Sequence, residues 1–277
     1  VEYRVPLLKE LLPIEIADLE TRNGYLPTLR ELAAAHPKLA KAIRSLYPTL
    51  PEKYILPETL GPYVIDRPLF AGNQAKMVRA RDPNADDRLV AVKFSSSAGE
   101  IARPRRERDL LARARHKNIV EVISAGEQPP YFYLVMPYLR GGNLQSTYKD
   151  HRPSPIVAAQ VVLQVAHAVQ HLHELRIMHS DIKPANIHLD PGSPNDSVRL
   201  IDLGIAVDFD SWSLPQERLL HVGGTKEYMP PEQLIYDERC DGCRCDIYAL
   251  GGVLYFLLTG NPPMNPEAAA HGLRSVK

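Results

Sequence analysis

The 277-residue chain has no surplus of either charge: Lys and Arg number 33, Asp and Glu number 33, and the formal net charge is zero. That balance excludes the basic excess on which nucleic-acid binding usually rests, so no nucleic-acid partner is expected. Cysteine is scarce. Cys240, Cys243 and Cys245 are odd in number, which argues against a disulfide framework and for a reducing compartment. Their C-x-x-C-x-C spacing invites zinc, but structural zinc takes four ligands and no fourth stands nearby; buried or surface thiols are the favoured reading. Long apolar runs are also missing. The longest, Ile247 to Gly260, falls short of the roughly 20 residues that cross a bilayer, so it reads as a buried helix and no membrane span is expected. No signal peptide is visible, because the Leu-rich N-terminus is broken by Lys9 and Glu10. Internal repeats and low-complexity tracts are absent. The first residue is Val and the last four, Arg274 to Lys277, carry no stop signal of their own, so a fragment of a longer protein is expected.

What is present divides into three stretches. Residues 1–47 read as a helical module: Leu8, Leu11, Leu12, Ile16 and Leu19 recur at helical spacing, with a break at Pro13. Thr28-Leu29-Arg30-Glu31 is a capping box, and Leu29, Leu32, Leu39, Ile43 and Leu46 continue an apolar stripe. The stripe fits a cap packed on its neighbour; a partner-docking surface is the other reading. Residues 48–62 hold prolines at 48, 51, 57 and 62 and read as a linker. From Tyr63 onward, strand-like runs appear at 63–70, 77–81, 89–94, 119–123 and 131–136. A helical stretch around Glu107, Leu110 and Leu111 interrupts them. Helical pattern then dominates from about Asn143, notably over 156–175 and 247–258. A sheet-rich half followed by a helical half is an α+β layout.

The chemistry-bearing motifs all lie in this third stretch. His179-Ser180-Asp181-Ile182-Lys183-Pro184-Ala185-Asn186 matches the kinase catalytic loop H-R-D-x-x-x-x-N at every defined position except Ser180. Ile201-Asp202-Leu203-Gly204 resembles D-F-G with Leu for Phe. Val90-Ala91-Val92-Lys93 matches V-A-I-K, and Gly224 to Glu232 resembles the end of an activation segment, with Pro-Pro-Glu for A-P-E. On these residues, in this order, the chain from Tyr63 to its end resembles a bacterial-type (eukaryotic-like) serine/threonine protein kinase.

The resemblance implies a bilobal protein-kinase-like fold: an N-lobe over 63–138 and a truncated C-lobe over 139–277, preceded by the helical extension. It implies transfer of the γ-phosphoryl group of ATP, with Mg²⁺ or Mn²⁺, to a protein hydroxyl. Such transfer asks little covalent chemistry of the protein; it needs metal on the phosphates, a fixed nucleotide and a carboxylate beside the attacking hydroxyl. Asp181 would orient that hydroxyl and accept its proton. Lys183 would sit near the transferring phosphate, and Asn186 and Asp202 would hold metal. Lys93 would contact the α- and β-phosphates and pair with Glu107. Ala91, Met136, Tyr138 and His188 would line the nucleotide, with Met136 at the gatekeeper and Pro137 where an acidic residue is common. Thr225 would shape the substrate loop, Glu232 would close the activation segment, and Asp246 would hold the catalytic-loop backbone. A cytoplasmic location is implied, with any membrane anchor outside this stretch.

Departures from the pattern define a rival. Aligned on Val78, the glycine-loop positions hold Ala71, Asn73 and Lys76, with Gly72 one place off, although glycine there lets backbone N–H groups approach phosphates. Lys76 either adds charge near the phosphates or faces solvent. Ser180 stands where an Arg commonly pairs with a phosphorylated loop, so phosphorylation at Ser211, Ser213 or Thr225 is not expected to be the main switch. His188 replaces an aliphatic floor. An active kinase is the expectation, because Lys93, Glu107, Asp181, Asn186 and Asp202 are all retained; a pseudokinase or scaffold with little transfer is the alternative.

Overall fold

A computed structural model describes residues 12–13, 16, 29–37, 39–46, 56–71, 76–95, 102–190, 198–208, 224–234 and 242–264. The chain divides into two compact units, residues 1–104 with 123–138, and residues 105–122 with 139–277.

The first unit is built on a six-stranded antiparallel sheet in the order β1-β2-β3-β4-β6-β5. Two helices come first, α1 (Leu29–Ala35) and α2 (Ala40–Leu46). The strands are β1 (Thr59–Leu60), β2 (Tyr63–Ala71), β3 (Lys76–Asp82), β4 (Arg88–Ser95), β5 (Ser124–Gln128) and β6 (Tyr131–Pro137). Successive strand residues point to opposite faces, and register decides which face each takes. Val78 pairs with Val92 and Ala80 with Val90, while Val92 pairs onward with Val135 and Phe94 with Tyr133. These side chains share one face and one core, and that core also contains Leu12, Ile16, Leu32, Ile43, Leu46, Leu56 and Leu60. The apolar stripe of the N-terminal helices is therefore spent against the sheet. Leu56 and Leu60, within the stretch read from sequence as linker, belong to the same core: Leu60 is fully buried and pairs with Tyr63.

Edge-to-face ring pairs, Tyr63 with Tyr133 and Phe94 with Tyr131, add geometry to this burial. The Tyr133 phenol is threaded between Gly61 and Gly126, where a Cβ at either position would overlap it. Gly61 also has φ +57, a conformation that favours glycine.

One predicted strand is corrected. Residues 119–123 form no strand; Ile119 makes only an isolated parallel bridge to Leu200 in the second unit, and Ile119 and Val120 are buried there. The strand falls instead on Ser-Ala-Gly-Glu-Gln of β5. An edge strand needs little apolar character, so it leaves a weak sequence signal.

The second unit contains α3 (Ala102–Arg113, from Arg105 onward), α4 (Leu144–Thr147), α5 (Pro155–Glu174), α6 (Pro231–Leu234) and α7 (Gly242–Thr259). Short strands β7 (Ile177–Met178), β8 (Ile187–Leu189), β9 (Val198–Leu200) and β10 (Val207–Asp208) form two pairs, β8 with β9 and β7 with β10. Ser154 caps α5 by accepting from Val157 N, with Pro155 at the first turn, where proline is tolerated. By length and composition α5 could cross a bilayer. It packs on α7, β7 and β9 through Ala158, Val161, Val165, Ala168, Val169 and Leu172, as a core helix does.

Candidate active site

The catalytic-loop motif lies between β7 and β8, the two strands that fix its ends. Its backbone is gripped from below by Asp246 in the first turns of α7. The Asp246 carboxylate, only 1% exposed, accepts from His179 N and Ser180 N, each at 2.9 Å, and meets His173 Nε2 at 2.9 Å. A buried charge is tolerated when hydrogen bonds surround it in this way. The grip holds Ser180 at φ +68, a left-handed conformation costing a non-glycine residue roughly 1–2 kcal/mol. His179 adds a second brace: its Nδ1 accepts from Asp181 N at 3.2 Å and its Nε2 donates to Ile201 O at 3.3 Å.

Above this scaffold the Asp181 carboxylate is enclosed by three side chains. Thr225 Oγ1 donates to Oδ1 at 2.8 Å. Lys183 Nζ lies 2.7 Å from Oδ2 and donates to Thr225 Oγ1 at 2.6 Å. Asn186 Nδ2 donates to Asp181 O at 2.8 Å and to Oδ2 at 3.1 Å. Thr225 reaches this position because Gly224 precedes it. Gly224 has φ +128, and a Cβ there would stand 2.8 Å from both Ser180 O and Met229 Cε. Sequence reading placed Thr225 in the substrate loop and missed its direct bond to Asp181. A phosphate on this hydroxyl would lie against the Asp181 carboxylate, which agrees with the reading that Thr225 phosphorylation is not an on-switch. Ser211 and Ser213 lie outside the described residues.

Asp202 follows on the same scaffold. Ile201 N donates to Asn186 O at 2.9 Å, which sets the residue before Asp202 against Asn186. Asp202 itself has φ +67, and its Oδ1 accepts from Gly204 N at 3.0 Å. The donor set suits a divalent cation. Asn186 uses its Nδ2 on Asp181 and keeps its side-chain carbonyl oxygen unbonded among the described residues, while Asp202 brings a carboxylate; hard oxygens of this kind bind hard metals.

In the first unit, Ala91 and Lys93 share the sheet face opposite to Val90 and Val92, together with their partners Met136 and Leu134 on β6. Val78 is on the wrong face for the nucleotide role expected of it: it is fully buried in the core shared with the N-terminal helices. Met77, paired with Lys93, occupies the face that Val78 was to supply. Moving the motif onto Met77 shifts the glycine-loop positions to Phe70, Gly72 and Ala75, so Gly72 falls on the central one. Gly72 and Asn73 lie outside the described residues. The backbone of Ala71 pairs with Lys76 at the end of the β2–β3 ladder.

Glu107 is 2% exposed on α3, which removes the reading of it as an exposed surface charge. Lys93 and Glu107 belong to different units. Tyr138 turns its phenol toward Arg67 and Arg79. His188 is half-buried on β8; burial pushes its imidazole below the ordinary histidine range, and its Nδ1 is buried without a hydrogen-bond partner. Glu232 stands partly exposed at the start of α6. Cys243 is half-buried and Cys245 buried on α7, while Cys240 lies outside the described residues. Among the described residues no group of three or more His, Cys, Asp or Glu gathers as a metal site.

A two-unit chain with a sheet-rich first half, and a catalytic-loop aspartate braced by Lys, Thr and Asn beside a D-x-G turn, defines a protein kinase domain. Residues 63–275 match the protein kinase domain family, and the chain belongs to it. Relatives include the serine/threonine-protein kinase PknF of Mycobacterium tuberculosis, 36% identical over 213 residues, covering 74% of this chain and 44% of that protein. Serine/threonine-protein kinase PrkC of Bacillus subtilis is 34% identical over 215 residues, covering 76% and 32%. CBL-interacting protein kinase 12 of Oryza sativa is 32% identical over 212 residues, covering 74% and 38%. The chain thus matches less than half the length of these curated relatives. Membership of the family implies use of ATP with a divalent metal.

Proposed function

We propose that the chain is the catalytic domain of a serine/threonine protein kinase, moving the γ-phosphoryl group of ATP to a protein hydroxyl. The observation that carries this reading is the Asp181 carboxylate, held by Thr225, Lys183 and Asn186 on a loop clamped by Asp246. The substrate oxygen attacks the γ-phosphorus, the bond to the β–γ bridging oxygen breaks, ADP leaves, and the hydroxyl proton passes to Asp181. Lys183 places an ammonium where negative charge gathers on the transferring group. Thr225 fixes the Asp181 rotamer through Oδ1. Asn186 and Asp202 would hold Mg²⁺, or Mn²⁺ with the same oxygen ligands, which supplies charge neutralisation on the phosphates. In the first unit Lys93 would contact the α- and β-phosphates, and Ala91, Met77 and Met136 would face the base. The Lys two places after Asp181 supports a serine/threonine acceptor, and the small, odd number of cysteines suits a cytoplasmic, reducing setting.

Phosphotransfer from radiolabelled Mg-ATP to a generic protein acceptor tests the reading, with Asp181→Asn as control. The expected loss is at least about a hundredfold, since a positioned general base contributes 10²–10⁴. Nucleotide binding with no transfer, or transfer that survives in Asp181→Asn, would overturn it in favour of a scaffold.

A further inference from the structure

Arg67 on β2, Arg79 on β3 and Tyr138, the residue following β6, meet within the first unit. Arg67 Nη2 donates to the Tyr138 phenolic oxygen at 3.4 Å. The Arg79 guanidinium carbon lies 5.5 Å from the centre of the Tyr138 ring. Arg79 Nε also donates to Asp66 Oδ2 at 2.6 Å, so one of the two cations already has a carboxylate. Arg67 is exposed, and among the described residues it makes no ion pair. Two guanidiniums and one carboxylate thus surround a phenol, leaving one positive charge unmatched.

Such a cluster has an ordinary structural use, as a cation–π contact and a hydrogen bond that stiffen the sheet edge. Its charge balance asks for more. Burial raises the Tyr138 phenol, yet hydrogen bonds and charge from Arg67 and Arg79 outweigh it and draw the phenol below its ordinary value. The surroundings therefore favour negative charge on that oxygen. The protonated phenol cannot supply that charge. A phosphate ester can: it adds about −1.5 to −2 charge and three strong acceptor oxygens, the shape that arginine forks bind best.

We propose that Tyr138 is a phosphorylation site whose phosphate is clamped by Arg67 and Arg79. The phenolic oxygen attacks the γ-phosphorus of ATP, the bridging bond to ADP breaks, and the phenolic proton goes to solvent or a base on the transferring enzyme. Tyr138 is the last residue of the first unit and Leu139 opens the stretch that continues the second. A clamped phosphate would tie that exit point to β2 and β3. The donor enzyme is either this chain or a separate tyrosine-directed kinase, and the experiment separates them.

The chain and its Asp181→Asn variant are incubated with Mg-ATP, alone and with a broad-specificity tyrosine kinase, and phosphopeptides are mapped by mass spectrometry. Tyr138→Phe marks the peptide. Phosphate at Tyr138 with ATP alone, lost in Asp181→Asn, assigns the reaction to the chain; phosphate only with added kinase assigns it to another enzyme. Phosphorylated chain is then treated with a tyrosine phosphatase beside Arg67→Gln, a change at an exposed side chain whose folding is checked by thermal melting. Release from Tyr138 is expected to be about tenfold faster in Arg67→Gln, the ratio for one charge-assisted bond of about 1.4 kcal/mol. No phosphate at Tyr138 in any arm, or equal release rates, overturns the proposal.

Discussion

Met77 and Lys93 stand opposite each other across β3 and β4, while their neighbours Val78 and Val92 pair on the other face of the sheet. A shift of one residue along a strand exchanges one sheet face for the other, and this pair decides which side of β3 shares the face of Lys93. Met77→Ala should weaken binding of a fluorescent ATP analogue severalfold with little change in melting temperature. Val78→Ala should do the reverse, costing roughly 1.5–3 kcal/mol of stability for a fully buried Val while affinity is kept. Parallel urea titration and nucleotide titration of both variants check the assignment.

The N-terminal helices are part of the first unit's core, so their removal should unfold it. Ile43, 1% exposed, is expected to cost about 2–5 kcal/mol when changed to Ala. A chain beginning at Tyr63, where the family match starts, should show an early, broad urea transition beside the intact chain. Equal midpoints for the two would show that the helices contribute nothing.

Much of this was legible in the sequence, for a physical reason. Phosphoryl transfer asks for residues of fixed type at fixed spacing, so the motif residues proposed for it, Asp181, Lys183, Asn186 and Asp202, announce themselves as a string. Packing leaves no such string. Val78 and Met77 differ by one place in a strand, and only the ladder with β4 separates them. The bond from Thr225 to Asp181 joins residues 44 positions apart and depends on Gly224 approaching Ser180. His173 reads as one more polar residue at a helix end; its partner Asp246 lies 73 positions away. The edge strand β5 was missed because edges need few apolar side chains, and Ile119 and Val120 misled because they fill the second unit.

The clamp at Asp246 gives a third expectation. His173→Ala removes one donor, and Asp246→Ala removes three bonds and leaves His179 N and Ser180 N without partners. His173→Ala should therefore cost roughly 1–2 kcal/mol and Asp246→Ala roughly 3 kcal/mol or more. The functional signature is a lower kcat with little change in the KM for ATP, because the loop carrying Asp181 loosens. His173→Gln, which can still donate from a side-chain nitrogen, should restore part of the loss. Steady-state kinetics of the three variants against ATP distinguishes this from general unfolding.

His188 supplies the fourth, through pH. Its imidazole is held below the ordinary 6.5 by burial, so the unfolded chain binds this proton more readily than the native one. The contribution of His188 to stability is present above 6.5 and is lost as pH falls from there toward the depressed native value. His188→Leu abolishes that term and also removes the partnerless Nδ1, for an expected gain of about 1 kcal/mol at pH 7. Urea midpoints at pH 7.5 and 5.5 should converge less in the variant pair than a pH-independent effect would allow: the gap must widen at the lower pH. A constant gap would place His188 in contact with water.

The phenol threaded between Gly61 and Gly126 has an evolutionary corollary. Three positions, two of them 65 apart in sequence, share one small volume, so none can drift alone. A lineage that acquires a side chain at either glycine must first trim the tyrosine to something like valine or threonine. Within related chains the three sites should accordingly be inherited as a block, large-with-two-small or small-with-freedom, and mixed combinations should be missing.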